Sequence, residues 1–559
     1  MARAKQTTAA LDDTVPLMCI FEGISKKEHV DYIIKVQRGA SPEGSWQVVH
    51  RYSDFAALHA ALEVSGIEMP LPPKKVFGNM DTTFVVERQQ GLQNFMNFIL
   101  GNPLLARHIS VKKFLDPVNY SENFQDNATQ HVAMFLRSVP NWEIVEPLPD
   151  IGWRIHKSYF LIKPTDASKK DIRNMLTWTC KGPDFGFEEK DFEAVLKLLT
   201  TIQHPYIYPT GFTSCSAQGA IIVRNFIPNG TLRDIICKAK PKTAQLKKYG
   251  SPKSRVVMPI NQIQIFGKQI LEALKFLHDK GFPYGHLHTG NIVLEGNVCR
   301  ILDLENSLLG VSPIHRHRYV PHKKIQDKES EDVYCFAHVL YEMAFGEPLR
   351  TSVIHEVPPT SSPDLKSILE SILTEEVVNK SGLPSVDDLL NLPFFSSVSL
   401  PPTDKPQFKI PSKLKECIRN VKEKAEQRLK EDQKYLRQFR RASKAHAHHM
   451  CEEEKKKRKK SAKKSKKSDT TAPTINSTGA PPSSPTPAAR TAAAVGRPAQ
   501  PPAAPPPPVP APPPPVSPPP PAAAPPKTEG RGALLSSISG FSKTGLKKAM
   551  TNDRSAPKV

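Results

Sequence analysis

The residues best suited to chemistry in this chain are cations grouped for phosphate. Arg51 stands in the run Arg51-Tyr52-Ser53-Asp54-Phe55. Lys74 and Lys75 close the loop LPPKK at 71–75, and Arg88 follows. A guanidinium fork can donate two hydrogen bonds to one phosphate dianion, and a lysine ammonium adds a point charge. Val76 and Phe77 come directly after the lysines, an apolar pair able to dip into a bilayer interface. At the far end of the chain, Leu534, Leu535 and Ile538 lie at i, i+1, i+4 spacing, which makes one apolar helical face. Leu546, Lys547 and Lys548 follow as an extended basic stretch.

These groups sit on different kinds of chain. The protein has 559 residues, a formal net charge of +22, 55 prolines and 28 glycines. That length predicts several domains. Residues 1–410 hold 46 Lys+Arg against 44 Asp+Glu, leaving 31 against 11 for residues 411–559. The body is nearly neutral and the tail strongly basic, so a folded nucleic-acid-binding domain is disfavoured. The N-terminus shows no apolar h-region, and no apolar run is long enough to cross a bilayer. The eight cysteines include no CxxC pair and read as reduced core residues. The expected setting is cytosolic, with only peripheral membrane contact.

The first segment, residues 14–120, reads as an α+β module. Val30–Gln37 and Trp46–Arg51 have strand composition, with the turn GASPEG between them. Residues 53–65 read as a helix with Ser53 as N-cap, and residues 84–100 as a second helix. The RYSDF run, the LPPKK loop and Arg88, in that order, resemble a PX (phox homology) domain. The resemblance implies a small antiparallel sheet with helices that binds phosphoinositides, most often phosphatidylinositol 3-phosphate. It implies that Arg51 holds the 3-phosphate and Tyr52 lies against the inositol ring. Lys74 or Lys75 would meet the 1-phosphate, and Arg88 the ring hydroxyls.

Residues 135–400 place strands before helices. Trp142–Leu148, Tyr159–Ile162, Met175–Trp178 and Ala220–Phe226 read as strands, and 188–200 and 261–278 as amphipathic helices. The motifs HPYIY at 204–208, YGHLHTGNIVL at 284–294, RILDLE at 300–305 and DVYCFAHVLYEM at 332–343 resemble a protein kinase, a two-lobed fold. Catalysis in that family needs positioned groups. The expected phosphate loop, 148–158, has the single glycine Gly152, followed by Trp153. The strand that should carry a lysine reads NMLTWT, with Thr177 or Trp178 near the place. Lys163 is a substitute candidate one strand earlier, and Glu193 a candidate for the helix glutamate. His286 occupies the catalytic Asp position, Gly285 and Tyr284 replace the usual Arg and His, and His288 replaces the usual Lys. Asn291 and Asp303 keep the metal-ligand positions and are candidate nucleotide–metal remnants, so weak ATP and magnesium binding stays open. His322 ends Val320-Pro321-His322, where Ala-Pro-Glu is usual. Asp184-Phe185-Gly186 spells the magnesium motif in the wrong place and reads as a loop turn. The expectation is a pseudokinase that needs no cofactor. The alternative is an atypical, weakly active serine/threonine kinase.

Residues 411–450 read as a charged helix with a thin stripe, Leu414, Ile418, Val421, Ala425 and Leu429. Residues 452–530 read as a disordered linker, first polybasic (452–468) and then rich in proline, with 23 prolines in 471–530. Such a segment suits aromatic-lined polyproline-binding domains, and the basic run suits acidic surfaces. Residues 531–550 resemble a WASP-homology-2 motif. That implies binding of monomeric actin through Leu534, Leu535, Ile538, Leu546, Lys547 and Lys548. All the parts together resemble the family of kinase-like proteins that carry a PX domain. The resemblance implies a scaffold peripheral to endosomes and plasma membrane. Its expected cargo is membrane receptors and ion-transport proteins of the sodium-pump type, and nucleic acid is not an expected partner.

Overall fold

The structure is a computed structural model that describes residues 11–26, 28–40, 44–74, 81–169 and 171–465, with the backbone alone over 445–465. Lys75, Val76, Phe77 and the actin-motif residues Leu534, Leu535, Ile538, Leu546, Lys547 and Lys548 lie outside the described residues.

Three antiparallel strands open the fold in the order β1 (Leu17–Lys26), β2 (Val30–Arg38), β3 (Ser45–Arg51). The strand β1 is additional to those expected from sequence. Its alternation buries Leu17, Cys19 and Phe21 and exposes Met18 and Ile20, so apolar residues on both faces hide the period of two. Helices Tyr52–Glu63 and Thr82–Gly101 cover the inner face. Phe55, Leu62, Leu92, Phe95 and Ile99 pack there on Tyr32, Ile34 and Val36. Ser53 does not cap the first helix. Strand β3 runs straight into it with Arg51 as the extended N-cap residue, and the Arg51 N–H donates to the Asp54 carboxylate at 2.9 Å. The second helix is capped by Asp81, whose side chain accepts from the Thr83 N–H at 3.3 Å.

The kinase-like part begins with a five-stranded antiparallel sheet in the order β4-β5-β6-β8-β7. Its strands are β4 (Trp142–Pro147), β5 (Lys157–Pro164), β6 (Asn174–Cys180), β7 (Phe212–Cys215) and β8 (Gly219–Asn225). A helix at Phe124–Ser138, mostly upstream of the expected boundary at 135, packs Val132 and Phe135 on Phe160, Ile162 and Trp178. Helix Glu189–Leu198 lies on the sheet's other side. The second lobe is helical, built on Ile260–Asp279, Lys328–Phe345 and Pro363–Leu373, with a hairpin of β9 (Ile292–Glu295) and β10 (Val298–Ile301) beside the cleft.

The charged helix is both longer and more buried than its sequence suggests. It runs Ser412–Ser465, so the start of the polybasic run, expected in a linker, is helical backbone. No glycine or proline interrupts it. Leu414, Ile418, Val421 and Leu429 enter the kinase-like core. Lys413 pairs with Asp191 at 3.0 Å and Arg316 with Asp432 at 2.7 Å. The Gln433 side chain donates to the carbonyls of His322 and Ile325, both at 2.8 Å. The charged helix expected over 411–450 is thus present and longer, and its thin apolar stripe makes it a structural strap. Asp184, from the misplaced magnesium motif, sits in the loop before helix Glu189–Leu198 and pairs with Arg428 of the strap.

The PX module docks on the second lobe. Leu246 joins the PX core. Arg107 Nη2 donates to the carbonyl of Ile314 at 3.0 Å.

Candidate functional site

Two sites follow from this frame. The first lies where β3 meets its helix. The Arg51 side chain is 58% exposed, 3.7 Å from Asp54. The Tyr52 hydroxyl donates to the carbonyl of Pro72 at 2.5 Å, which ties the helix start to the proline loop. Arg88 is buried. Its guanidinium lies 4.4 Å from the Tyr52 ring centre and 4.2 Å from that of Phe84, and Nη2 reaches the Pro73 carbonyl at 3.5 Å. The Arg88 Nε–H is buried without a partner. A buried charged donor left unsatisfied is costly, and an oxygen-rich ligand relieves that cost. Lys74 is exposed on the proline loop. The structure therefore brings Tyr52 and Arg88 together, with Arg51 the residue before Tyr52 and Lys74 on the proline loop.

The second site is the kinase-like cleft. Thr177, not Trp178, faces it: Trp178 packs on the outer helix, stacked with His131 at 4.5 Å between ring centres. Lys163 is not the substitute lysine. It pairs at the surface with Glu143 at 2.7 Å, while Lys157, earlier on the same strand, enters the cleft. Alternation along β5 puts Lys157 and Tyr159 on the cleft side, a signal the sequence carried but apolar composition obscured. Glu193 points to solvent and pairs with Lys197 at 2.7 Å, so it has no part in the cleft.

Lys157 Nζ contacts Asp303 Oδ2 at 2.7 Å, Glu305 Oε1 at 3.2 Å and Asn306 Oδ1 at 3.3 Å. Arg224, at the end of β8, contacts Asp303 Oδ1 at 3.0 Å and also pairs with Glu305. Both oxygens of the retained Asp303 are thus held by cations. Two charges of each sign form a closed buried set, and Asp303 sits at φ +67°, a left-handed backbone rare for a residue with a side chain. Burial pushes Asp303 up, but Lys157 and Arg224 outweigh it and hold the carboxyl below its ordinary value.

The expected phosphate loop is filled as well. Gly152 lets the Tyr159 ring approach: a Cβ there would stand 2.7 Å from it. Arg154 turns inward, donating from Nη1 to the Ser312 carbonyl at 2.9 Å, with Nη2 3.2 Å from His286 Nδ1. Burial, then Arg154 and Lys328, drive His286 well below the ordinary histidine range. It is a neutral imidazole beside a fixed guanidinium, a poor place to accept a proton. Asn291 Nδ2 donates to the His286 carbonyl at 3.0 Å, closing the loop on itself. His288 is buried, and burial, then Arg154 and Arg233, hold it well below the ordinary histidine range. His322 lies 3.4 Å from the Asn379 amide. The cavity left in the cleft is about 150 Å³, against about 300–1,000 Å³ for typical small-molecule pockets.

Comparison with known proteins agrees with this division. A PX domain model matches residues 39–118, a protein tyrosine and serine/threonine kinase model matches 183–357, and a WH2 motif model matches 527–556. The PX domain-containing protein kinase-like protein of Mus musculus is 52% identical over 439 residues, covering 78% of this chain and 75% of its own. The chain belongs to that family. The Slowpoke-binding protein of Drosophila melanogaster is 36% identical over 294 residues, 49% of this chain and 55% of its own. A probable inactive serine/threonine-protein kinase, slob1 of Dictyostelium discoideum, is 32% identical over 292 residues, 47% and 49% respectively. This chain thus joins a PX domain, a kinase-like domain and a WH2 motif. No helix among the described residues is long and apolar enough to cross a membrane.

Proposed function

We propose that this protein is a catalytically silent, kinase-like scaffold. It holds to phosphoinositide membranes through its PX domain and reaches monomeric actin through its C-terminal motif. The reading rests above all on the set Lys157, Asp303, Arg224 and Glu305: the group that would hold magnesium is neutralised from both sides. His286 in place of a carboxylate and Arg154 in place of a glycine-lined loop support it. On this reading nucleotide is not required, and any ATP or magnesium bound at Asn291 and Asp303 is weak. The headgroup preferred at Arg51, Tyr52 and Arg88, with Lys74 or Lys75, is phosphatidylinositol 3-phosphate, which puts the protein peripherally on endosomes and plasma membrane. Val76 and Phe77 would enter the lipid interface. The proline-rich segment offers a ligand to polyproline-binding domains. A relative named for binding Slowpoke supports a membrane channel or transporter, pump or receptor as cargo of the kinase-like surface.

The test is phosphorylation by the purified full-length chain with radiolabelled ATP and magnesium. No incorporation above an Asp303→Ala control is expected. Autophosphorylation that survives purification and disappears in Asp303→Ala would overturn the reading in favour of an atypical serine/threonine kinase.

A further inference from the structure

A second, larger cavity of about 640 Å³ opens between the PX domain and the second lobe of the kinase-like domain. It adjoins the kinase-like cleft, with Arg233, Gln245, Tyr249 and His288 in the wall between them, and its own walls are cationic. Arg107 comes from the PX side, and Arg233, Arg255, Arg318 and Arg350 from the kinase-like side. The lining carboxylates are Glu342 and Glu347. Glu342 lies 3.6 Å from Arg233, and Glu347 lies 3.9 Å from Arg255 and 3.8 Å from Arg350. Five guanidiniums therefore face two carboxylates.

The imbalance is greatest at Arg107 and Arg318. Arg107 touches the Ile314 carbonyl and lies 5.3 Å from the Trp153 ring centre; Arg318 contacts the carbonyls of Leu349 and Thr351. Neither is in an ion pair among the described residues. Burial, then Arg318, Arg233 and Arg154, push Arg107 down to about 9, still charged at neutral pH. Two histidines on the wall add free nitrogens: His288 Nε2 and His315 Nδ1 are buried without partners. Uncompensated buried cations are costly to a fold unless an anion joins them.

We propose that this cavity binds a small organic polyphosphate of the inositol polyphosphate class. Planar guanidiniums from several directions suit phosphate oxygens. The volume falls within the range of small-ligand pockets, about 300–1,000 Å³. Walls from two domains favour a compact ligand over a peptide, and a bound anion would cross-brace PX and kinase-like parts through Arg107 and Arg318.

The test is calorimetric titration of the full-length chain with inositol hexakisphosphate at constant ionic strength. Sodium sulfate, soluble short-chain phosphatidylinositol 3-phosphate and a phosphoserine peptide serve as comparison probes. Saturable binding is expected, weakened about tenfold by Arg107→Gln and by Arg318→Gln, the scale of one charge-assisted hydrogen bond. Arg350→Gln should weaken it less, and because Arg350 is 87% exposed this variant carries no folding risk. Arg51→Ala, in the lipid pocket, should leave it unchanged. Absence of saturable binding, or equal binding by sulfate, overturns the proposal. So does affinity indifferent to all three cavity variants, which would assign the ligand to the polybasic tail. Loss in Arg51→Ala assigns it to the PX pocket, and preference for the phosphopeptide rejects the small ligand.

Discussion

Lys157→Met tests the central structural claim, that the cleft lysine serves a closed ion set rather than a nucleotide. Methionine keeps the stem and deletes the ammonium. The four charged side chains are each at most 9% exposed, so the remaining Asp303 and Glu305 would face Arg224 alone. Breaking a buried pair from one side costs about 3–5 kcal/mol. For domains of about 150–250 residues each kcal/mol moves the melting point by about 2–4 °C, so a loss of roughly 6–20 °C is expected. Differential scanning calorimetry on the full-length chain would read it. Lys157→Met with Asp303→Asn restores neutrality and should melt above the sum of the two single losses.

The pH dependence follows from the same set. Burial lowers Lys157, but Asp303 and Glu305 outweigh it and hold it above its ordinary value; Asp303 is held below its own. A raised lysine contributes stability in full below its unfolded value, lost as pH climbs through the folded one. A depressed carboxylate contributes above its unfolded value, lost as pH falls through the folded one. The difference between wild type and Lys157→Met should therefore be flat from about pH 4 to about pH 10 and shrink on both the acid and the alkaline side. An unchanged melting point in Lys157→Met, together with loss of an ATP-induced shift that wild type shows, would refute the reasoning.

Arg51→Ala should lower affinity for phosphatidylinositol 3-phosphate liposomes by about ten- to a hundredfold, the worth of charge-assisted bonds at about 1.5–3 kcal/mol; unchanged flotation with vesicles counts against that site. Leu546→Ala with Lys547→Ala should abolish actin binding by the full chain, read as co-sedimentation, and unaltered pelleting would remove the motif. Leu429→Ala, at a fully buried position of the C-terminal strap, should cost about 2–5 kcal/mol in chemical denaturation. A solvated helix would show no such loss.

Local pattern alone determined much here. The PX and kinase-like parts, their order, and the loss of a glycine-rich loop, strand lysine and catalytic carboxylate were legible from residue types at fixed spacing. So was the split between a neutral body and a basic tail. Arg51, Tyr52 and Arg88 were named from one short run and one helix position; β3 does lead directly into the helix that begins at Tyr52, and Arg88 comes from the next helix, Thr82–Gly101. Tertiary structure decided what long-range contact decides. Lys157 and Lys163 share one strand and, six residues apart, one face of it; they differ in which end of the strand each occupies. One enters a buried ion set and the other meets solvent. Arg224 and Arg154 carry no motif, yet one holds Asp303 and the other lies against His286. The strap's thin stripe is too weak to announce burial, since most of its residues are charged; only the groove beside helix Glu189–Leu198 explains it. The arginine cavity exists in no segment at all, because its charges come from PX and kinase-like residues far apart in sequence. Spacing along a chain encodes local geometry, whereas electrostatic balance is a property of neighbours in space, and those are set when the domains close on each other.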